Sequence, residues 1–307
     1  MSAPGATARY RLLGALAAAG GAMLFASKGI IAKFAYARDI PFEVLVVVRA
    51  LLALPLFWAF ALHREPARVI RSTRWQTIAM AAFAGIVCYY GGALLDFHAL
   101  TFVDASVERV LIFSYPAMVV AIDSAMRRSR PSAGVLTAVA LTWIGIYFAV
   151  GGGDAGTLRA NLYGSALVLA AALSYAIYFM IGERCTREIG ASRYTLVAMS
   201  AAAAVLLVHA LARGTLPRLA AVDLQGWLLL AMLAVLCMFV PALLQAEGVR
   251  RLGAQRGALV STVGPPTTIV LAWLLFGERM SWLQLAGVAL IVCGILVLDL
   301  AVFTRRR

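Results

Sequence analysis

Residues 42–62 read FEVLVVVRALLALPLFWAFAL. Past Glu43 at its edge, this run is apolar on every side except at Arg49. A helix that packs on a soluble core shows a polar face; this one shows none. Its length matches the roughly 20 apolar residues that a helix needs to cross a bilayer. Working outward, comparable runs recur on both sides. They give ten expected spans, at 11–36, 42–62, 75–98, 104–125, 132–150, 162–182, 194–212, 225–246, 255–276 and 281–302. The longest connections fall at 63–74, 151–161 and 213–224, so no sizeable soluble domain fits between spans.

Composition agrees. Of 307 residues, 63% are hydrophobic and 13% charged, against about 45–50% and about 25% in soluble domains. The net charge of +13 is not a nucleic-acid footprint. The arginines sit in short clusters between apolar runs, as the positive-inside rule produces. With the N-terminus inside, eighteen Lys and Arg fall in cytoplasmic segments and five outside, leaving Lys28, Lys33, Arg49 and Arg109 within spans. Both termini are therefore expected in the cytoplasm. The first apolar run is too long for a signal-peptide core. Cys88, Cys185, Cys237 and Cys293 have no metal-ligand or redox spacing, and no metal or cofactor is expected.

The two halves resemble each other. A shift of 149 places Ala105 on Ala254, Pro116 on Pro265 and Gly145 on Gly294; further upstream, a shift of 151 places Lys33 on Arg184 and Arg49 on Ser200. Five spans per half is odd, so the halves would be inverted, an architecture of secondary transporters with a site near the midplane. The expected division is 1–150, a connection at 151–161 containing the flexible triplet 151–153, and 162–307. The expected fold is an all-α integral membrane protein of ten transmembrane helices in two inverted five-helix repeats.

The stretch 97–116, FHALTFVDASVERVLIFSYP, resembles the third-to-fourth span signature of the EamA family, within the drug/metabolite transporter superfamily. The second half is similar at Gly264-Pro265-Pro266, at residues 274–278 (LLFGE), at 284–287 (QLAG) and at Gly294. Arg49 stands where that family often carries an arginine. The first-half turn at 127–131 departs from the pattern, having no counterpart of Glu278. The resemblance implies two five-helix bundles around a central cavity, and often export of amino acids or other metabolites.

Ionisable groups at membrane depth are costly and face the bundle interior or a wet cavity. Arg49 lies about 12 Å from the outer boundary at 1.5 Å per residue. Either it orients a substrate carboxylate by a two-point fork, or it forms a fixed pair with Glu108 or Asp96. Glu108 and Arg109 are neighbours about 100° apart on a helix of 3.6 residues per turn, so they face different ways. Pro116 cannot donate its backbone hydrogen bond and loosens the turn before it; Pro265 and Pro266 would make the matching kink. Lys28 reads as a site residue, and Lys33 as an interfacial anchor that snorkels. Asp96 and His98, with Glu108, are candidates for proton coupling, although Asp96 and His98 also read as a wet helix end. Tyr89, Tyr115, Tyr175, Tyr178 and Trp273 would line a cavity for an amphipathic solute; aromatics in bundles also serve as packing and interface belts. Gly20, Gly21, Gly85, Gly92, Gly287 and Gly294 would allow close helix approach.

The expected activity is secondary transport of a small zwitterionic or anionic metabolite across a bacterial-type inner membrane, in the export direction, by rocking of the two halves. The expected partners are a small-molecule substrate and the lipid bilayer, with no nucleic acid; the sequence sets no oligomeric state. No P-loop is present, which argues against ATP hydrolysis. An intramembrane enzyme would need paired carboxylates, a metal cluster or a Ser/His pair at the midplane, whereas His63, His98 and His209 lie near span ends. A structural or sensory subunit would need neither an internal repeat nor buried cations.

Overall fold

The computed structural model describes residues 4–64, 74–126, 133–252, 260 and 262–304. The turn at 127–131, and Arg68, Arg71, Arg256, Arg305, Arg306 and Arg307 of the orientation count, lie outside the described residues. The described chain is helical throughout. In order it forms α1 (Pro4–Ala26), α2 (Lys28–Tyr36), α3 (Phe42–Arg64), α4 (Trp75–Gly85), a π-helical turn (Ile86–Gly92), α5 (Ala93–Ala99), α6 (Ala105–Ile112) and α7 (Tyr115–Met126). There follow α8 (Ala133–Ala149), α9 (Ala155–Ile189), α10 (Ala191–Ala212), a 3-10 turn (Leu216–Ala221), α11 (Leu224–Ala234), a second π turn (Val235–Phe239), α12 (Val240–Leu252), α13 (Gly264–Phe276) and α14 (Trp282–Thr304). Seven helical runs are long and apolar enough to cross a membrane, and three shorter apolar helices accompany them. Helices meet the bilayer's demand because each satisfies its backbone groups internally.

Element starts recur at one interval. Phe42 and Ala191, Trp75 and Leu224, Ile86 and Val235, Tyr115 and Gly264, and Ala133 and Trp282 each open corresponding elements 149 residues apart. The interval holds in the second span too, so the upstream shift of 151 is corrected. By that interval Arg49 corresponds to Ala198, not to Ser200.

Three features depart from a plain helix reading. The first span breaks at Ser27, whose hydroxyl donates to the Leu24 carbonyl at 2.7 Å while its N–H reaches the Met23 and Leu24 carbonyls. Such back-bonding bends helices. The fourth span breaks at Phe113 and Ser114, just before Pro116, as its missing donor requires. Pro265 and Pro266 stand in the same place relative to a turn as Pro116 does 149 residues earlier. They occupy the first turn of α13, after the turn at Thr262 and Val263, where a missing N–H costs nothing.

The connection expected over 151–161 is shorter, because Asp154 caps α9. Its carboxylate accepts from the Thr157 hydroxyl and N–H, both at 2.7 Å, starting the helix at Ala155. Those bonds hold the Asp154 carboxyl below the usual range.

The turns at 37–41, 100–104 and 277–281 gather at one end of the bundle, with the 213–223 segment. Arg38 pairs with Asp223 there, and Lys33 lies between Asp104 (3.4 Å) and Glu278 (3.5 Å). At the opposite end, Thr77 donates to Glu188 at 2.5 Å and Arg251 lies over Tyr10.

Helices α8 and α14 touch backbone to backbone. A β-carbon on Gly287 would lie 2.6 Å from the Gly145 carbonyl oxygen and 2.6 Å from the Ala149 nitrogen. Gly287→Leu should therefore cost about 1–3 kcal/mol through overpacking. Thermal unfolding in detergent checks it, and an unchanged midpoint would show that the two helices separate freely.

Candidate functional site

The break at Ser27 sets Lys28 at the first position of α2, inside the bundle. Lys28 is 3% exposed, Asp96 on α5 is 1% and Glu108 on α6 is 0%. The Lys28 ammonium donates to an Asp96 carboxylate oxygen and to Glu108 Oε1 at 3.0 Å. Asp96 is thus no wet helix end. Phe97, Leu100 and Ala105, close to it in sequence, are buried in one apolar cluster. Gly29 lets α2 close on α6, since a β-carbon there would lie 3.2 Å from Ala105 Cβ and 3.4 Å from Glu108 Oε2.

Arg49 is 5% exposed, with its guanidinium 4.6 Å from the centroid of the Phe97 ring. The Lys28 ammonium lies 5.4 Å from the same ring. Among the described residues no hydrogen bond or ion pair engages Arg49. The fixed pair with Glu108 or Asp96 does not form, because Lys28 takes both carboxylates. Arg109 faces away from Glu108, as the helical spacing requires. It is 6% exposed, between Phe25 (5.9 Å) and Phe113 (4.9 Å), and a β-carbon on Gly264 would lie 2.9 Å from its Nη2. It too has no hydrogen bond or ion pair among the described residues.

Three cations and two acids therefore share the buried interior. Four of their polar atoms are buried with no partner: the donors Arg49 Nε and Arg109 Nε, and the acceptors Asp96 Oδ1 and Glu108 Oε2. Ser114 Oγ, in the break before α7, is a fifth. Buried polar groups are nearly always satisfied, so a cluster of exceptions demands a reason.

The tyrosines assemble along α9. Tyr89 donates to the Tyr178 hydroxyl at 3.3 Å, and Tyr115 lies 6.4 Å from Tyr175 by ring centroid. Sequence reading misses Tyr194, whose ring is 4.9 Å from Tyr178, and Phe179, stacked on Tyr115 at 5.1 Å. It also misses Phe97, the ring shared by Lys28 and Arg49; nothing in a lone phenylalanine marks it. His98 lies apart from the charged cluster. It stacks on Phe42 at 4.5 Å, with Phe102 and Tyr163 around it. Trp273 does not join the tyrosines either. It is 55% exposed with Val270 and Leu274, and these positions three and four apart form one outward helix face.

A cavity of about 510 Å³ opens at the 37–41 end, lined by Arg38, Asp39, Arg218 and Asp223 among others. It touches none of the five buried charges.

Comparison with known proteins adds an independent view. The model of the EamA-like transporter family matches twice, at residues 12–151 and 162–299. An "Uncharacterized transporter YcbK" of Bacillus subtilis is 34% identical over 271 residues, covering 87% of this chain and 86% of its own. An "Uncharacterized inner membrane transporter YicL" of Salmonella typhimurium is 25% identical over 296 residues, 93% of this chain and 94% of its own. A solved crystal structure shares the fold with a TM-score of 0.63, over 95% of this chain and 98% of that one, at 16% identity.

Proposed function

Because the chain belongs to the EamA-like transporter family, we propose that it moves small zwitterionic or anionic metabolites, amino acids among them, across a bacterial inner membrane. One observation carries the substrate class. The buried interior holds orphaned donors on Arg49 and Arg109 and orphaned acceptors on Asp96 and Glu108. A carboxylate satisfies the first pair and an ammonium the second, and the surplus cation favours a solute with a carboxylate. Tyr89, Tyr115, Tyr175 and Tyr178 supply an amphipathic wall.

The mechanism is alternating access, with ten spans in two inverted five-helix halves, 1–150 and 162–307, rocking about the cluster. The recurrence of element starts at an interval of 149 and the twofold family match support this division. Both termini face the cytoplasm and the 37–41 end faces outward, with transport running as export. Asp96 and Glu108, bridged by Lys28, are the groups placed to exchange a proton; His98 is too remote from them to share it.

Flux of an amino-acid and organic-acid panel through purified protein in liposomes tests this reading. Carboxylate-bearing solutes should be carried and their amides not. Equal flux of acids and amides would sink the assignment, and no flux of any solute would sink the transport mechanism for this class. Reporter fusions at Arg74 and Arg130 should read cytoplasmic, and one at Gly153 external; an external signal at Arg130 would overturn the span count.

A further inference from the structure

We propose that Glu278 is a latch that holds the outer end shut by clamping the short helix α6. The inference rests on the transport reading for its purpose, and its test needs no substrate.

Glu278 follows Gly277, whose φ of +67° places it in the left-handed region. The Gly277 N–H closes α13 on the Trp273 carbonyl at 3.0 Å, the usual glycine-terminated helix end. The chain is thereby turned so that Glu278 reaches back across the bundle. Its two oxygens accept from the backbone N–H groups of Ala105 and Ser106, each at 3.2 Å, and from the Ser106 hydroxyl at 2.8 Å. Lys33 of α2 lies 3.5 Å from the same carboxylate, whose side chain is 7% exposed.

A helix N-terminus has unpaired N–H groups and favours an anion. Asp104 stands at the capping position of α6 but makes no side-chain capping bond. Glu278 satisfies those donors from the turn after α13, more than a hundred residues away in sequence. The contact thus ties residues of the second half to α6 of the first.

The helix it grips is built to move. α6 has 8 residues, preceded by the turn before Ala105 and followed by the break at Phe113 and Ser114. It carries both Glu108 and Arg109. Releasing its N-terminus would shift two of the five buried charges together. The latch is also one-sided. The residue 149 positions before Glu278 is Ser129, and the 127–131 turn has no glutamate. Among the described residues the clamp lies at the 37–41 end, and there it holds the molecule closed.

The test is labelling of a cysteine placed at Leu100, 2% exposed beneath this contact, in protein with Cys88, Cys185, Cys237 and Cys293 replaced. A membrane-impermeant maleimide is applied to vesicles of both orientations. Glu278→Gln removes the charge, and losing charge-assisted bonds should raise the open fraction, hence the labelling rate, by about tenfold. A control cysteine at Ala81, buried toward the opposite end, should keep its rate. An unchanged rate at Leu100, or an equal rise at both positions, overturns the latch. Should Glu278→Gln fail to fold, Ser106→Ala decides instead: faster labelling at Leu100 alone supports the latch, and no change overturns it. Faster labelling without flux of any solute would leave the latch standing and defeat the transport mechanism.

Discussion

Replacing Lys28 with methionine should destabilise the folded protein by about 3–5 kcal/mol, the usual cost of stranding a buried charge. Among the described residues Lys28 is the sole ammonium between Asp96 and Glu108, and all three are buried. Methionine keeps most of the volume, so the loss is electrostatic. Removing the two acids as well, with Asp96→Asn and Glu108→Gln, should recover most of the stability, because neutral amides tolerate burial far better. Groups in one network are not additive, and the size of the rescue measures their coupling. Thermal unfolding of detergent-solubilised single and triple variants decides it. A Lys28→Met protein as stable as its parent would show that the carboxylates find another partner or take up protons.

Arg49 should behave in the opposite way. Among the described residues it makes no ion pair, so Arg49→Ala strands no carboxylate and should leave stability within about 1 kcal/mol, losing only its contact with the Phe97 ring. Transport should fall instead. Arg49→Lys retains charge but not the planar fork, and kcat/KM should drop about a hundredfold, as expected for loss of two-point recognition. Glu108→Ala should not rescue it. Normal flux in Arg49→Ala would remove Arg49 from the site altogether. The Lys28 and Arg49 variants together separate the group that holds the cluster from the group that meets the solute.

The apolar helices, the break before Pro116 and the recurrence of element starts at 149 in the later spans are legible in sequence because each arises from local chemistry. Apolar length sets a span, a missing N–H sets a break, and shared punctuation sets the repeat. The hidden features depend on contacts between distant helices. Asp96 sits near the end of its span, which by position alone reads as wet; its burial against Lys28 depends on helices that sequence order does not bring together. Arg49 and Glu108 look like mutual partners by sign and depth, yet the Ser27 break delivers Lys28 first. Trp273 looks like a cavity aromatic until the exposure of Val270 and Leu274 shows which way its helix faces. The π turns at Ile86–Gly92 and Val235–Phe239 carry no composition signal, and each rotates the facing of the helix beyond it. Glu278 is visible in the family-like motif, but its role needs the N-terminus of α6 in view.

Helix α9 has 35 residues and so runs about 52 Å at 1.5 Å per residue. Its arginines Arg159 and Arg184 stand about 37 Å apart on that axis, against a hydrocarbon layer of about 30 Å. Capped by Asp154 and packed along the tyrosines, this rod cannot shorten. That spacing sets both guanidiniums at headgroup level, just outside the hydrocarbon on either side, and the rest of the rod stands beyond it. A bilayer whose hydrocarbon approached that spacing would draw the two guanidiniums toward the acyl chains, so lipid length bears on the helix along which the tyrosines are arrayed.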